Sequence, residues 1–207
     1  MRLAWTILPA AVLLFGAFRA GGQNPAPAPA LAPLNTTGQV TIRGRATPFL
    51  IRHLPVNSFP QLPARVQEEL RLRGCLIPQT YEAHQPENVV EGSFERPGST
   101  DWAVLCSADG EVSLLVFFAG RPSGEPFVLA TTQETERLQP HPPESGLGFN
   151  WGIDAATPEE VHEAQAGLDP RPPRVNHDAL ADSTVDHRTV YHFYAKGEWT
   201  LLDMPEP

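Results

Sequence analysis

The chain has 207 residues, of which 24 are acidic and 15 basic, giving a formal net charge of −9 with 41% hydrophobic residues. Nucleic acid is a poor partner for that balance, because phosphate binding needs clustered cations and the nearest candidates, Arg71 and Arg73, are two residues at a helix end. Anionic membrane surfaces are disfavoured for the same reason.

Met1 and Arg2 precede an apolar run from Leu3 to Phe18 and the small residues Ala20, Gly21 and Gly22, the pattern of a secretory signal cleaved after Gly22. The apolar run is short for a bilayer span, which makes cleavage the expectation and an uncleaved anchor the alternative. No cysteine lies near it, so attachment through an N-terminal lipid-modified Cys is excluded. A periplasmic or extracellular location follows, with no membrane insertion after cleavage. Without Arg2 and Arg19 the mature chain holds 13 basic against 24 acidic residues, a net charge of −11. Lys196 is the only lysine beside fourteen arginines in a chain rich in Ala and Pro, which points to a GC-rich genome and a bacterial host.

Residues 23–40 contain NPAPAPALAPL, whose alternating Pro and Ala predict an extended, polyproline-like tether. Asn35 opens a glycosylation sequon, NTT, which matters only in a eukaryotic secretory host. Residues 41–207 are enough for one domain with its own core. LPARVQEELRLRG places Leu62, Val66 and Leu70 on one stripe, with Pro63 early and Gly74 past the end, and predicts a helix lying on a sheet. Four strands follow, Asn88 to Phe94, Asp101 to Cys106, Val112 to Phe118 and Pro126 to Thr131, separated by turn-rich segments as in an antiparallel meander. SLLVFF is apolar on both faces and suits a covered, central strand. Leu138 to Gly148 reads as irregular, and FNWGID as a short apolar segment. TPEEVHEAQAG carries a complete helix start: Thr157 as cap, Pro158 at the first position and Glu160 to close a capping box. LDPRPPRVNHDALADSTVD reads as a long connection, and TVYHFYAKGEWTLLD as a hairpin turning at Lys196 and Gly197, with Tyr191, Phe193, Trp199 and Leu201 as core candidates. The fold class expected is α+β, a mainly antiparallel sheet with one or two packed helices.

The hairpin from Val89 to Leu105 carries Gly92, Phe94, Gly98 and Asp101 in the frame of an FG-GAP or VCBS repeat, which it resembles over about 20 residues. In such repeats a strand ending in Gly-x-Phe enters a short acidic calcium loop. The signal, tether, two-cysteine hairpin and closing YHFYAKGEWTLL are similar to those of uncharacterised exported bacterial proteins. The resemblance implies ligands at the first, third, fifth and ninth loop positions, which here read Ser93, Glu95, Pro97 and Asp101. Calcium takes six to eight oxygens, and Pro97 offers no side-chain oxygen. A degenerate loop that keeps the turn without the ion is expected, and no cofactor is implied.

Cys75 and Cys106 are the only cysteines, and an oxidising compartment would join them as a staple; two buried free thiols are the alternative. No CxxC is present, which argues against redox chemistry. His177 beside Asp178 in VNHDALAD is the one acid-adjacent histidine in a long connection, a possible base or ligand, against a role in fastening the loop. Asp154 in WGID is a further candidate carboxylate, and His162 in the second helix reads as solvated or half-buried. GxSxG, Walker and GxGxxG motifs are missing. The expected function is a non-catalytic binding or structural module of the cell envelope or exterior, whose partner is a protein or envelope component. The alternatives are a secreted hydrolase built on His177, Asp178 or Asp154, and a periplasmic inhibitor of a cationic enzyme, which only the net charge suggests.

Overall fold

The structure is a computed structural model that describes residues 34–121, 124–140 and 146–205. The segment read as a signal, residues 1–22, and residues 23–33 of the segment read as a tether lie outside these ranges. The first strand, β1 (Leu34–Ile42), begins inside the segment read as tether. Its β-branched residues Thr36, Thr37, Val40, Thr41 and Ile42 favour a pleated conformation. A two-residue turn, Arg43 and Gly44, both at positive φ, returns the chain into β2 (Arg45–Pro55), the geometry that matches strand twist. All nine residues of β1 pair with β2 in unbroken antiparallel register.

Helix α1 (Ala64–Leu72) follows and buries Val66 and Leu70. It stops where the sequence places Gly74: the Gly74 N–H donates to the Arg71 carbonyl and the Cys75 N–H to the Leu70 carbonyl. With Gly74 at φ +71°, this is a Schellman end that turns the chain at once into β3 (Leu76–Gln79). Next come β4 (Val89–Gly92), β5 (Asp101–Ala108), β6 (Glu111–Phe117) and β7 (Phe127–Gln133), the expected meander. The segment read as irregular contains two short strands, β8 (Leu138–Pro140) and β9 (Leu147–Phe149). β9 lies parallel to β2, so the larger sheet is mixed rather than purely antiparallel. Its order is β7-β6-β5-β3-β2-β9-β8, with β1 on β2 and β4 on β5. A turn of four residues, Glu134–Arg137, joins β7 at one edge to β8 at the other. Four residues reach no more than ~14 Å, so the sheet must curl until its edges approach.

Only Asn150 separates β9 from β10 (Trp151–Ala156), where the chain enters a second, antiparallel sheet. Helix α2 (Pro158–Ala164) has the expected capping box between Thr157 and Glu160. β11 (Ala179–Thr184), β12 (Arg188–Ala195) and β13 (Glu198–Leu201) complete the order β10-β11-β12-β13. β11 falls in the stretch read as a connection, because the prolines before it mask a short apolar strand.

Alternation along the strands distributes the core. Trp102, Val104 and Cys106 of β5 face α1 and pack with Val66 and Leu70. Ala103 and Leu105 face the second sheet, where they join Phe118, Trp151, Ile153 and Leu180. The outer face of the second sheet, with Ala179, Ala181 and Phe193, is covered by Val161 of α2. Both faces of β5 are therefore covered. Of the four hairpin residues expected in the core, Phe193 is buried but Leu201 is 61% exposed, since it ends the edge strand. Cys75 and Cys106 form a disulfide with Cα atoms 5.0 Å apart, tying the end of α1 to β5. Closing 31 residues contributes ~3 to 4 kcal/mol in the chain-entropy model.

The two sheets are joined through Asn88. Its amide Nδ2 donates to the Pro78 carbonyl at 2.8 Å and the Trp151 carbonyl at 3.1 Å, and its Oδ1 accepts from the Ile153 N–H at 3.1 Å. The residue is buried and holds φ +67°, a region asparagine tolerates. Asn88→Gly keeps the backbone comfortable while removing all three bonds, and we expect it to lower the unfolding free energy by about 3 kcal/mol in denaturant melts. Asn88→Ala should cost ~1 kcal/mol more, the added strain of a Cβ at positive φ.

Candidate functional site

Two segments flagged separately in the sequence meet in space. Gly92 ends β4, and a Cβ placed on it would lie 2.6 Å from the Phe94 ring, which folds back over the glycine and is fully buried. The Gly-x-Phe pattern is thus a packing signature here. Behind it the loop turns through Gly98 at φ +75° and re-enters the sheet at Asp101. Asp101 is 0% exposed. Its Oδ1 accepts from the Ala119 N–H at 2.9 Å, and its Oδ2 from the Glu95 N–H at 2.7 Å and the Ser99 hydroxyl at 2.5 Å. Three donors satisfy a buried carboxylate well, and they occupy three of its roughly four lone-pair sites. Glu95 points instead to the Arg96 guanidinium at 2.8 Å, and the Ser93 hydroxyl donates to the Ser99 carbonyl at 2.9 Å. Ser93, Glu95 and Asp101 therefore do not converge. Among the described residues no group of three His, Cys, Asp or Glu side chains is arranged to hold a metal ion.

The Ser93 N–H donates to Asp178 Oδ2 at 2.9 Å, which brings the His177–Asp178 pair against this loop. The neighbours point apart. His177 Nε2 donates to the Tyr194 carbonyl at 2.9 Å, its Nδ1 lies 2.8 Å from Asn176 Oδ1, and the ring packs on Phe193 with centroids 4.4 Å apart. Both ring nitrogens are engaged and the residue is buried, so the geometry is that of a fastener between the loop before β11 and strand β12. Glu95, Arg96 and Pro97 on one side and His177, Tyr194 and Lys196 on the other line a cleft of about 410 Å³.

Asp154 stands apart, exposed on the outer face of β10. Crowding by neighbouring atoms, and then the charges of Glu87 and Glu160, hold its carboxyl above the ordinary range. His162, half-buried on α2, is held below the usual histidine value by desolvation and by Arg171 and Arg174.

One polar constellation was not visible in the sequence. His53, Ser107 and Glu134 are all buried, on β2, β5 and the turn that closes the curled sheet. His53 Nε2 lies 2.7 Å from Glu134 Oε1, and the Ser107 hydroxyl donates to the same oxygen. These are the residue types of a catalytic triad in a different arrangement: Ser107 bonds to the carboxylate and not to the histidine. Burial would raise the Glu134 pKa, but the bonds from His53 and Ser107 and the charge of His53 together depress it. The three residues are 27 to 81 positions from Glu134 or each other in the chain, and no local spacing links them.

A second concavity, about 800 Å³, lies where β12 outruns its neighbour. β13 pairs with β12 only over His192–Ala195, and after the Leu202 N–H bonds to the Tyr191 carbonyl the chain turns away toward α2, where the Asp203 carbonyl accepts from Gln165. Arg188, Thr189 and Val190 then form one wall and Leu202 to Pro205 the other. Among the described residues no strand pairs with this edge of β12.

Thermal melts with calcium and with chelator should superimpose, because a ligand of the native state must raise its stability by mass action. Asp101→Asn, which cannot accept three donors as well, should lower stability by about 2 kcal/mol in either buffer. A second expectation concerns acid. Because the Glu134 pKa is depressed on folding, its contribution is complete above the ordinary carboxylate value of ~4.3 and is lost as pH falls through the lower folded value. Glu134→Gln should flatten that part of the stability–pH curve in denaturant titrations.

No protein-family model, curated protein or solved structure matches the chain.

Proposed function

We propose that this is an exported, non-catalytic binding module of the cell envelope or exterior, and that it takes an extended segment of a partner protein along the free edge of β12. The observation that carries the reading is the groove of about 800 Å³ beside Arg188–Val190, which combines unpaired strand edge with a facing wall from Leu202 to Pro205. Strand addition supplies affinity through main-chain bonds and specificity through side-chain pockets. The fate of the chemical candidates supports the same reading: His177, Asp178 and Asp101 spend their polar atoms on the protein itself. Export is supported by the Cys75–Cys106 bond, which oxidising compartments sustain. Among the described residues no helix is long and apolar enough to cross a membrane.

A photo-crosslinking residue at Arg188, in chain expressed in its host, should give a discrete protein adduct that the same residue at Val128, 53% exposed on β7, does not. Adducts equal at both positions, or none at Arg188, would remove this site. The hydrolase alternative rests on Asp154, the one exposed candidate carboxyl with a raised pKa. Hydrolytic activity of the purified protein that Asp154→Asn abolishes would replace the binding reading.

A further inference from the structure

The outer edge of β1 is the most exposed strand edge that the described residues present. Eight of its nine residues, LNTTGQVTI, are exposed, among the described residues β2 is the one strand paired with it, and Leu34, Ile42 and Leu50 leave 52%, 40% and 40% of their surface to solvent. Proteins guard such edges with charge, proline, bulges or short length. β1 has none of these: it is uncharged, free of proline, and its register with β2 is unbroken. From Phe49 outward, where β2 leaves β3 and β9, the arm is a two-stranded ribbon, which is marginal in water by itself.

Charge is distributed unevenly around this arm. Every one of the 24 acidic residues lies at or beyond Glu68. Residues 34–55 contain three arginines and no acid, and two of them, Arg43 and Arg45, are exposed at the tip. The rest of the body is strongly acidic.

We infer that β1 pairs antiparallel with β1 of a second copy about a two-fold axis at Gly38. The two-residue turn makes Ile42 and Arg45 a hydrogen-bonded pair, so the backbone groups of Asn35, Thr37, Gln39 and Thr41 point away from β2. With Gly38 on the axis, Thr37 meets the second copy's Gln39 and Asn35 meets its Thr41, which satisfies the outward groups of all four residues in each chain. Gly38 then faces its counterpart at the narrow, non-hydrogen-bonded position, where Cα atoms approach to ~4.5 Å. Phe49 already lies across Gly38, close enough that a Cβ there would be 2.7 Å from its ring. The antiparallel sense carries each arginine tip toward the partner's acidic body, whereas a parallel sense would bring the four tip arginines together. Such an isologous contact closes on itself as a dimer and leaves no β1 edge open.

The register can be tested by charge pairing on the intact exported chain in sedimentation-equilibrium runs. The wild type should sediment at twice the monomer mass. Thr37→Lys with Gln39→Lys sets like charges opposite one another twice across the axis and should weaken the dimer by about tenfold or more. Thr37→Lys with Gln39→Glu sets each lysine opposite a glutamate and should retain it. Both side chains are exposed and leave the β1–β2 pairing intact, so far-ultraviolet circular dichroism spectra equal to the wild type verify the fold. A monomeric wild type overturns the proposal. So does a dimer insensitive to both changes, or one that Lys/Glu weakens as much as Lys/Lys.

Discussion

The fold hinges on one carboxamide. Where β3 ends and β4 begins, Asn88 stands in for a strand that is not there, supplying donors to Pro78 and Trp151 and an acceptor to Ile153. The curled sheet and the four-stranded sheet are thereby bonded to each other as well as packed. The junction is buried, so each of these backbone groups would otherwise lie inside the protein without this partner, at a cost larger than the bond is worth when made. The Asn88 carbonyl also accepts from the Leu105 N–H, which ties the same residue to the central strand. Trp151 then fills the space between the sheets, with its indole N–H donated to Asp182 at 2.6 Å and the Arg137 guanidinium 3.9 Å from its ring centre.

The loop from Ser93 to Asp101 shows how a calcium-type turn can be held by protein alone. A cation would gather oxygens toward a centre; here a carboxylate gathers donors toward itself. Asp101 fastens its own loop through Glu95 and Ser99 and fastens the β6–β7 turn through Ala119. Arg65 of α1 grips that turn from the other side, through the carbonyls of Phe118, Ala119 and Arg121. Asp178 adds the connection to the second sheet. The anchoring is electrostatic in both designs, with the charge relocated from an ion to a side chain.

What could be read in the sequence was what local chemistry encodes. Gly74 and the Thr157 capping box gave the ends and starts of helices, the turns at ERPGST and SADGE gave the meander, and two cysteines behind a signal-like segment gave the disulfide. β8, β9 and β11 escaped because each is short and lies among prolines, and their strand character comes from the neighbours they pair with. β1 escaped because the extended Pro/Ala pattern was carried past Leu34. For the site, both segments were identified but not their meeting, since Ser93 and Asp178 are 85 residues apart. The His53–Glu134–Ser107 cluster depends on the sheet curling until the turn after β7 passes over β2 and β5, a property of topology that no window of sequence contains.

The bridge between Cys75 and Cys106 has a meaning that depends on where the chain is. A protein that leaves the cytosol as a thread must stay easy to unfold until it has crossed, and in a reducing cytosol this link is absent. The layer it would secure, α1 against β5, is then held by apolar packing alone. In an exported chain, oxidation on the far side would close the loop and make the same sequence harder to pull apart. For an exported chain the disulfide is thus a one-way latch: looseness where threading is required, firmness where the protein works, without any change in its residues.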